Sequence, residues 1–220
     1  MNHRLDRHTV GFLLHAAGVD AWGVAAHAPA PAPELPRAIS IMMRVRPATL
    51  CGVEHGPTHA YLAEYHRLNA ALDEATATLV TAIEEAGHAA VAVPATQSGG
   101  RKRRPLPHKT AATRAGLGWI GKTALFVSSD LGPAVRLATV FTDLPLSVSR
   151  PIDSGACGEC RRCVEACPAG AGRDVTWQAG MPREELFDAD ACRRHMARAH
   201  TGALRDVCGI CIAVCPRSSP

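Results

Sequence analysis

Apolar and polar positions along this chain change period several times, and each change marks an element. Leu5, Val10, Leu13 and Leu14 recur at helical spacing over residues 4–17, and Gly18 ends the helix they predict. Ala21 to Ala26 is a short apolar run that reads as a buried strand. A Pro-rich connection from Pro29 to Pro36 follows, and Ser40 to Val45 predicts a second strand stopped by Pro47. The longest signal starts after Pro57. Leu62, Tyr65, Leu68, Leu72, Ala75, Leu79 and Ile83 return every three or four residues as far as Gly87, the stripe of an amphipathic helix. His88 to Val93 predicts a third strand and residues 109–115 a short helix. Ala124 to Ser128 and Val135 to Phe141 predict two more strands around the turn Asp130-Leu131-Gly132-Pro133. Helices and strands interleave, which predicts an α/β (α+β layered) domain over residues 1–150.

Beyond that point cysteines replace periodicity and set off residues 151–220 as a smaller ferredoxin-like module. Eight of the nine cysteines lie there. Cys157, Cys160, Cys163 and Cys167-Pro168 form C-x2-C-x2-C-x3-C-P. Cys208, Cys211 and Cys215-Pro216 repeat it without its first cysteine, whose place is taken by Arg205. Closely spaced thiolates wrap the corners of a cubane, and the cysteine before the proline serves a second cube. That crossed pattern assigns Cys157, Cys160, Cys163 and Cys215 to one [4Fe–4S] cluster. Cys167, Cys208, Cys211 and the nearby Cys192 go to the other. A zinc ribbon would use two separated C-x2-C knuckles and has no use for the third cysteine or the C-P ending. Disulfides call for a secretory context, which nothing at the N-terminus suggests. Cys51 stands apart and reads as an ordinary buried thiol.

Composition narrows the field. The chain is 47% hydrophobic with a net charge of +4, as expected of a globular protein. No stretch approaches 18 apolar residues, and His15 and Asp20 interrupt the N-terminal run, so no membrane span or signal peptide is expected and the cytoplasm is the expected compartment. Arg101-Lys102-Arg103-Arg104 reads as a solvated basic loop; aromatics, at 4%, are too few for base stacking. Gly116 to Thr123 spells G-x4-G-K-T, but a phosphate loop needs a strand before it and a helix after it, and the order here is reversed. Pro57 keeps His55 and His59 from sharing a helix face, which argues against a metal there. His195 and His200, beside Cys192, are expected to support a cluster through hydrogen bonds rather than to bind it.

Several of these segments together resemble a known family. His108 to Leu125, with its Ala-Gly-Leu-Gly-Trp-Ile-Gly-Lys core, Phe141-Thr-Asp-Leu-Pro-Leu146, the two cysteine half-motifs and Glu64-Tyr65-His66 are similar to epoxyqueuosine reductases. The resemblance implies a corrinoid-binding domain, related to reductive dehalogenases, joined to a two-cluster ferredoxin module. Electrons would come from a ferredoxin, flavodoxin or reductase and reach cobalamin and then a small-molecule or modified-base substrate. It places Gly116, Gly118, Trp119 and Gly121 on the cofactor face and Tyr65 and His66 near the pocket. Lys102 stands where the family has its catalytic Asp, and no helical-repeat domain follows Cys215; both departures point away from tRNA as substrate. The alternative is an electron carrier whose first domain only docks partners.

Overall fold

The computed structural model describes residues 5–26, 34–96 and 108–218. The protein is a mixed helix-and-sheet fold of two compact units that alternate along the sequence. The first comprises Met1–Arg44, Arg67–Leu117 and Arg136–Ile152, and the second Val45–His66, Gly118–Val135 and Asp153–Pro220. The unit around the cysteines thus also draws in residues 45–66 and 118–135, from ahead of the boundary expected at 150. Val53, Tyr61, Phe126 and Val127 of those two segments join Trp177, Leu186, Phe187 and Ile210 among this unit's buried apolar residues.

In the first unit, α1 (Arg7–Ala16) is capped by Asp6, which accepts from the Thr9 N–H at 2.8 Å, and buries Val10 and Leu14. Strands β1 (Ala21–Ala26) and β2 (Arg37–Arg44) pair antiparallel from Ala21↔Met42 to Ala26↔Arg37. That register carries β2 three residues ahead of the Ser40 start expected from hydropathy, because Ala26 needs a partner. Strand β3 (Ala90–Val93) pairs antiparallel with a later strand, Val135–Thr142, called β6 below, and the sheet order is β1-β2-β6-β3. Central strands β2 and β6 are buried almost throughout, whereas edge strand β3 leaves Val91 exposed.

Helices α2 (His59–Glu85) and α3 (His108–Arg114) complete this unit. The Arg67–Glu85 part of α2 buries Leu68, Leu72, Ala75, Leu79 and Ile83, as its stripe predicts. Helix α3 packs on β1 and β2 through small residues, with Ala25, Leu35, Ala38, Ala111, Ala115 and Phe141 forming one core cluster. Small side chains let the backbones approach until a Cβ on Gly23 would lie 2.5 Å from the Ala115 carbonyl. His108 is fixed at the helix start between the Thr139 hydroxyl and the Pro94 carbonyl, both 2.9 Å away. Burial lowers its pKa.

The second unit holds the first two turns of α2, and there the buried face differs. Tyr61, Leu62 and Glu64 are buried, Tyr65 is half-buried and His66 exposed. Glu64 accepts from the Arg46 side chain at 2.6 and 3.0 Å and from its backbone N–H at 3.2 Å. Also in this unit are the hairpin strands β4 (Gly118–Ile120) and β5 (Phe126–Ser128) and four short helices. These are α4 (Arg162–Glu165), α5 (Arg183–Leu186), α6 (Ala189–Ala199) and α7 (Ile210–Ala213). Among the described residues no helix is long and apolar enough to cross a membrane.

Gly23→Ala is expected to lower stability by about 1–3 kcal/mol, the usual cost of forcing an extra methyl group into a filled contact. Urea unfolding of the variant beside the parent protein measures it.

Candidate metal centre

Tight local turns present the cysteines. The Cys160 N–H donates to the Cys157 carbonyl at 3.2 Å, the Cys167 N–H to Val164, and the Cys215 N–H to Ile212. Cys163 rides on α4 and Cys211 on α7, and these helices pack together; α7 also rests on the 3-10 turn Val53–His55. Gly209 opens α7 with φ +88, and a Cβ there would sit 2.7 Å from Val53 and 2.8 Å from Tyr61. Cys192 comes from α6, whose N-cap Asp188 accepts from the Asp190 and Ala191 N–H groups. Arg205, in the place of the missing cysteine, donates instead to the His200 carbonyl.

The glycine-rich segment supplies the wall of this site. It contains strand β4, paired with β5 from Gly118↔Ser128 to Ile120↔Phe126, an element that hydropathy did not predict. No helix follows Thr123; the chain turns through Ala124 directly into β5, unlike a phosphate loop. The Trp119 indole N–H donates to Cys157 Sγ at 3.4 Å, and Arg217 lies over the indole ring, 5.0 Å from its centroid. A Cβ on Gly121 would come within 3.6 Å of Cys157 Sγ. Thr123 hydrogen-bonds Cys163. Lys122, buried, pairs with Asp174 at 2.8 Å, and Asp174 also holds Arg161 at 2.9 Å. The Lys122 hydrogen bond, helped by Arg161, keeps the Asp174 carboxyl below the usual carboxylate range. The other two glycines pack on backbone: a Cβ on Gly116 would lie 2.5 Å from the Arg150 carbonyl, and one on Gly118 would strike that of Val127.

Cys157, Cys160, Cys163, Cys211 and Cys215 line one cavity, walled by Leu125, Val127, Pro133 and Pro216 and edged by Gly121, Thr123 and Arg217. The thiols' mutual electrostatic influence sorts them. Cys163 feels Cys215, Cys157 and Cys160, whereas Cys192 feels Cys208 and Cys167. Cys211 is placed between, feeling Cys208, Cys163, Cys167 and Cys192. Burial, reinforced by neighbouring thiols, pushes Cys163, Cys192, Cys208 and Cys215 up, and Cys211 to about 12. An apolar cavity rimmed by thiols suits an iron–sulfur cluster, whose iron supplies the charge that lets them deprotonate. Among the described residues no three His, Cys, Asp or Glu side chains converge as a single metal ion requires.

Other expected residues fall elsewhere. Cys51 is exposed rather than buried, because it ends the 3-10 turn Pro47–Leu50 and leaves burial to Leu50 and Val53 on either side. Lys102 and the basic run around it lie outside the described residues. His55 is turned to Glu54 at 3.9 Å. His195 and His200 stack edge to face at 5.6 Å. The contributions of Thr123 and Lys122 escaped the sequence reading; their signal was the G-K-T segment itself, set aside once it failed as a phosphate loop.

Residues 156–218 match the family of 4Fe-4S double cluster binding domains. Epoxyqueuosine reductase from Cyclobacterium marinum is 32% identical over 123 residues, which are 51% of this chain and 37% of that protein. Tetrachloroethene reductive dehalogenase from Sulfurospirillum multivorans is 32% identical over 117 residues, covering 48% of this chain and 22% of the dehalogenase. The chain thus spans well under half the length of these relatives. A solved reductive dehalogenase described as B12-dependent shares the fold, with a TM-score of 0.76 and 20% identity over 96% of this chain and 32% of its own.

In the metal-free protein the raised thiols make stability fall with rising pH. Unfolded thiols ionise near pH 9 while Cys211 holds its proton to about 12, so folding retains protons the unfolded chain releases. Full stability is expected below pH 9, followed by a loss of at most ~1.4 kcal/mol per pH unit for this thiol up to about 12. Anaerobic urea midpoints from pH 8 to 11 measure it. Cluster-loaded protein, its thiols already deprotonated on iron, is expected to lack the slope.

Proposed function

We propose that this chain, a homologue of epoxyqueuosine reductases that is also related to reductive dehalogenases, is an iron–sulfur oxidoreductase drawing on two [4Fe–4S] clusters. One observation carries the reading: the thiols fall into two groups that meet at Cys211, which lines an apolar cavity together with Cys157, Cys160, Cys163 and Cys215. Cys157, Cys160, Cys163 and Cys215 hold one cluster, and Cys167, Cys192, Cys208 and Cys211 the other. Such clusters supply one-electron transfer. The chain's residues fix the thiols on turns and short helices, exclude water with Leu125, Val127 and Pro133, and hold the Cys157–Cys163 loop through Arg161, Asp174 and Lys122. The electron donor is a ferredoxin, flavodoxin or reductase, and the acceptor side is a corrinoid with a small-molecule or modified-base substrate. Likeness to a dehalogenase described as B12-dependent supports the corrinoid. Tyr65 and His66, on the opening turns of α2, are the candidates for handling a proton.

A second reading, an electron carrier, has its own support. Trp119 and Gly121 are turned to Cys157, and a Cβ on Gly116 or Gly118 would meet backbone, which favours a role for these residues in packing around the thiols rather than on a corrinoid face.

Anaerobic reconstitution is expected to load about eight irons per chain, and Cys192→Ala about four, since one cluster loses a ligand; iron and sulfide analysis decides. Cobalamin titrated into the loaded protein separates the two readings. A spectral shift to the base-off form supports the reductase, and an unchanged cobalamin spectrum over intact, reducible clusters leaves the carrier.

A further inference from the structure

The two thiol groups differ in who hydrogen-bonds them. On the second, the donors found among the described residues are backbone: the Ala171 N–H to Cys167 Sγ at 3.4 Å, and the Ile210 N–H to Cys208. On the first, the Arg217 N–H serves Cys215, and two side chains join it: the Trp119 indole to Cys157 and the Thr123 hydroxyl to Cys163. Both side chains come from the 119–123 segment, outside the cysteine motifs. The Arg217 guanidinium over the indole face polarises its N–H and strengthens the donor.

We propose that Trp119 and Thr123 raise the reduction potential of the cluster on Cys157, Cys160, Cys163 and Cys215 above that of its neighbour, making it the electron-accepting end of the pair. The inference rests on the ligand sets proposed above. A reduced cluster carries one more negative charge, spread over its sulfurs, than the oxidised cluster. A hydrogen bond to sulfur is therefore stronger in the reduced form and draws the potential upward. Trp119 and Thr123 are positioning residues; they need touch no substrate.

Trp119→Phe keeps the ring and removes the N–H, and Thr123→Val keeps the shape and removes the hydroxyl. Each is made in the full chain, reconstituted, analysed for iron and titrated by EPR-monitored redox potentiometry. In each variant one midpoint is expected to fall by a three- to tenfold change in the reduced-to-oxidised ratio, about 30–60 mV for one electron. The other midpoint stays, and iron stays at the parent's level. Cys192→Ala, which keeps only the first cluster, is expected to retain the higher midpoint and to show the same fall when combined with Trp119→Phe. Unchanged midpoints with full iron, or both midpoints moving together, overturn the proposal alone. A parent protein that never loads two clusters overturns the ligand sets and the proposal with them.

Discussion

Sulfur atoms that must be crowded together and kept from water, yet carry charge once iron arrives, set the terms for the second unit. Burying several thiolates side by side is unfavourable on two counts, lost solvation and mutual repulsion. The metal-free protein escapes both by leaving the thiols protonated, as the rise of Cys211 to about 12 expresses. The surrounding structure is therefore arranged for a state the thiols reach only with a counter-charge in place. Hairpin β4–β5, the apolar wall and the donors on sulfur are the fixed side of that arrangement.

Lys122 shows how a second charge is handled in the same neighbourhood. An unpaired ammonium so deeply buried would be strongly disfavoured; Asp174 accepts it and at the same time fastens Arg161 in the loop between Cys160 and Cys163. Asp174 adopts φ +56, a conformation L-residues rarely take, to reach both partners. The ion pair thereby ties the hairpin to the cysteine loop.

Much of this was legible in the chain because it is local. The stripe of α2, the run Ala21–Ala26 and the cysteine spacings each lie within one short window, where periodicity and turn chemistry decide. What escaped depends on long-range pairing. Gly118–Ile120 becomes a strand because Phe126–Ser128 lies against it, and the closeness of Val127 leaves no room for a side chain at 118. Trp119 meets Cys157 across 38 positions. Tyr65 belongs to the right stripe by spacing, but the first turns of α2 lie in another unit and cover a different face. Cys51 was misread because hydropathy assigns a thiol to the interior while a neighbouring 3-10 turn decides which side chains go there.

The alternation of the two units has a consequence for how the molecule is made. Strand β6 lies between β2 and β3 yet is the last of the four to leave the ribosome, so β1–β2 waits for its neighbour until residue 142 is synthesised. The other unit waits longer still, since its earliest segment, Val45–His66, shares a unit with cysteines synthesised more than a hundred residues later. The emerging chain thus exposes unpaired apolar strands first and free thiols afterwards. Iron can thus be delivered to a completed site only after Cys215 has been synthesised, and chaperoning of the nascent chain and cluster insertion become successive tasks.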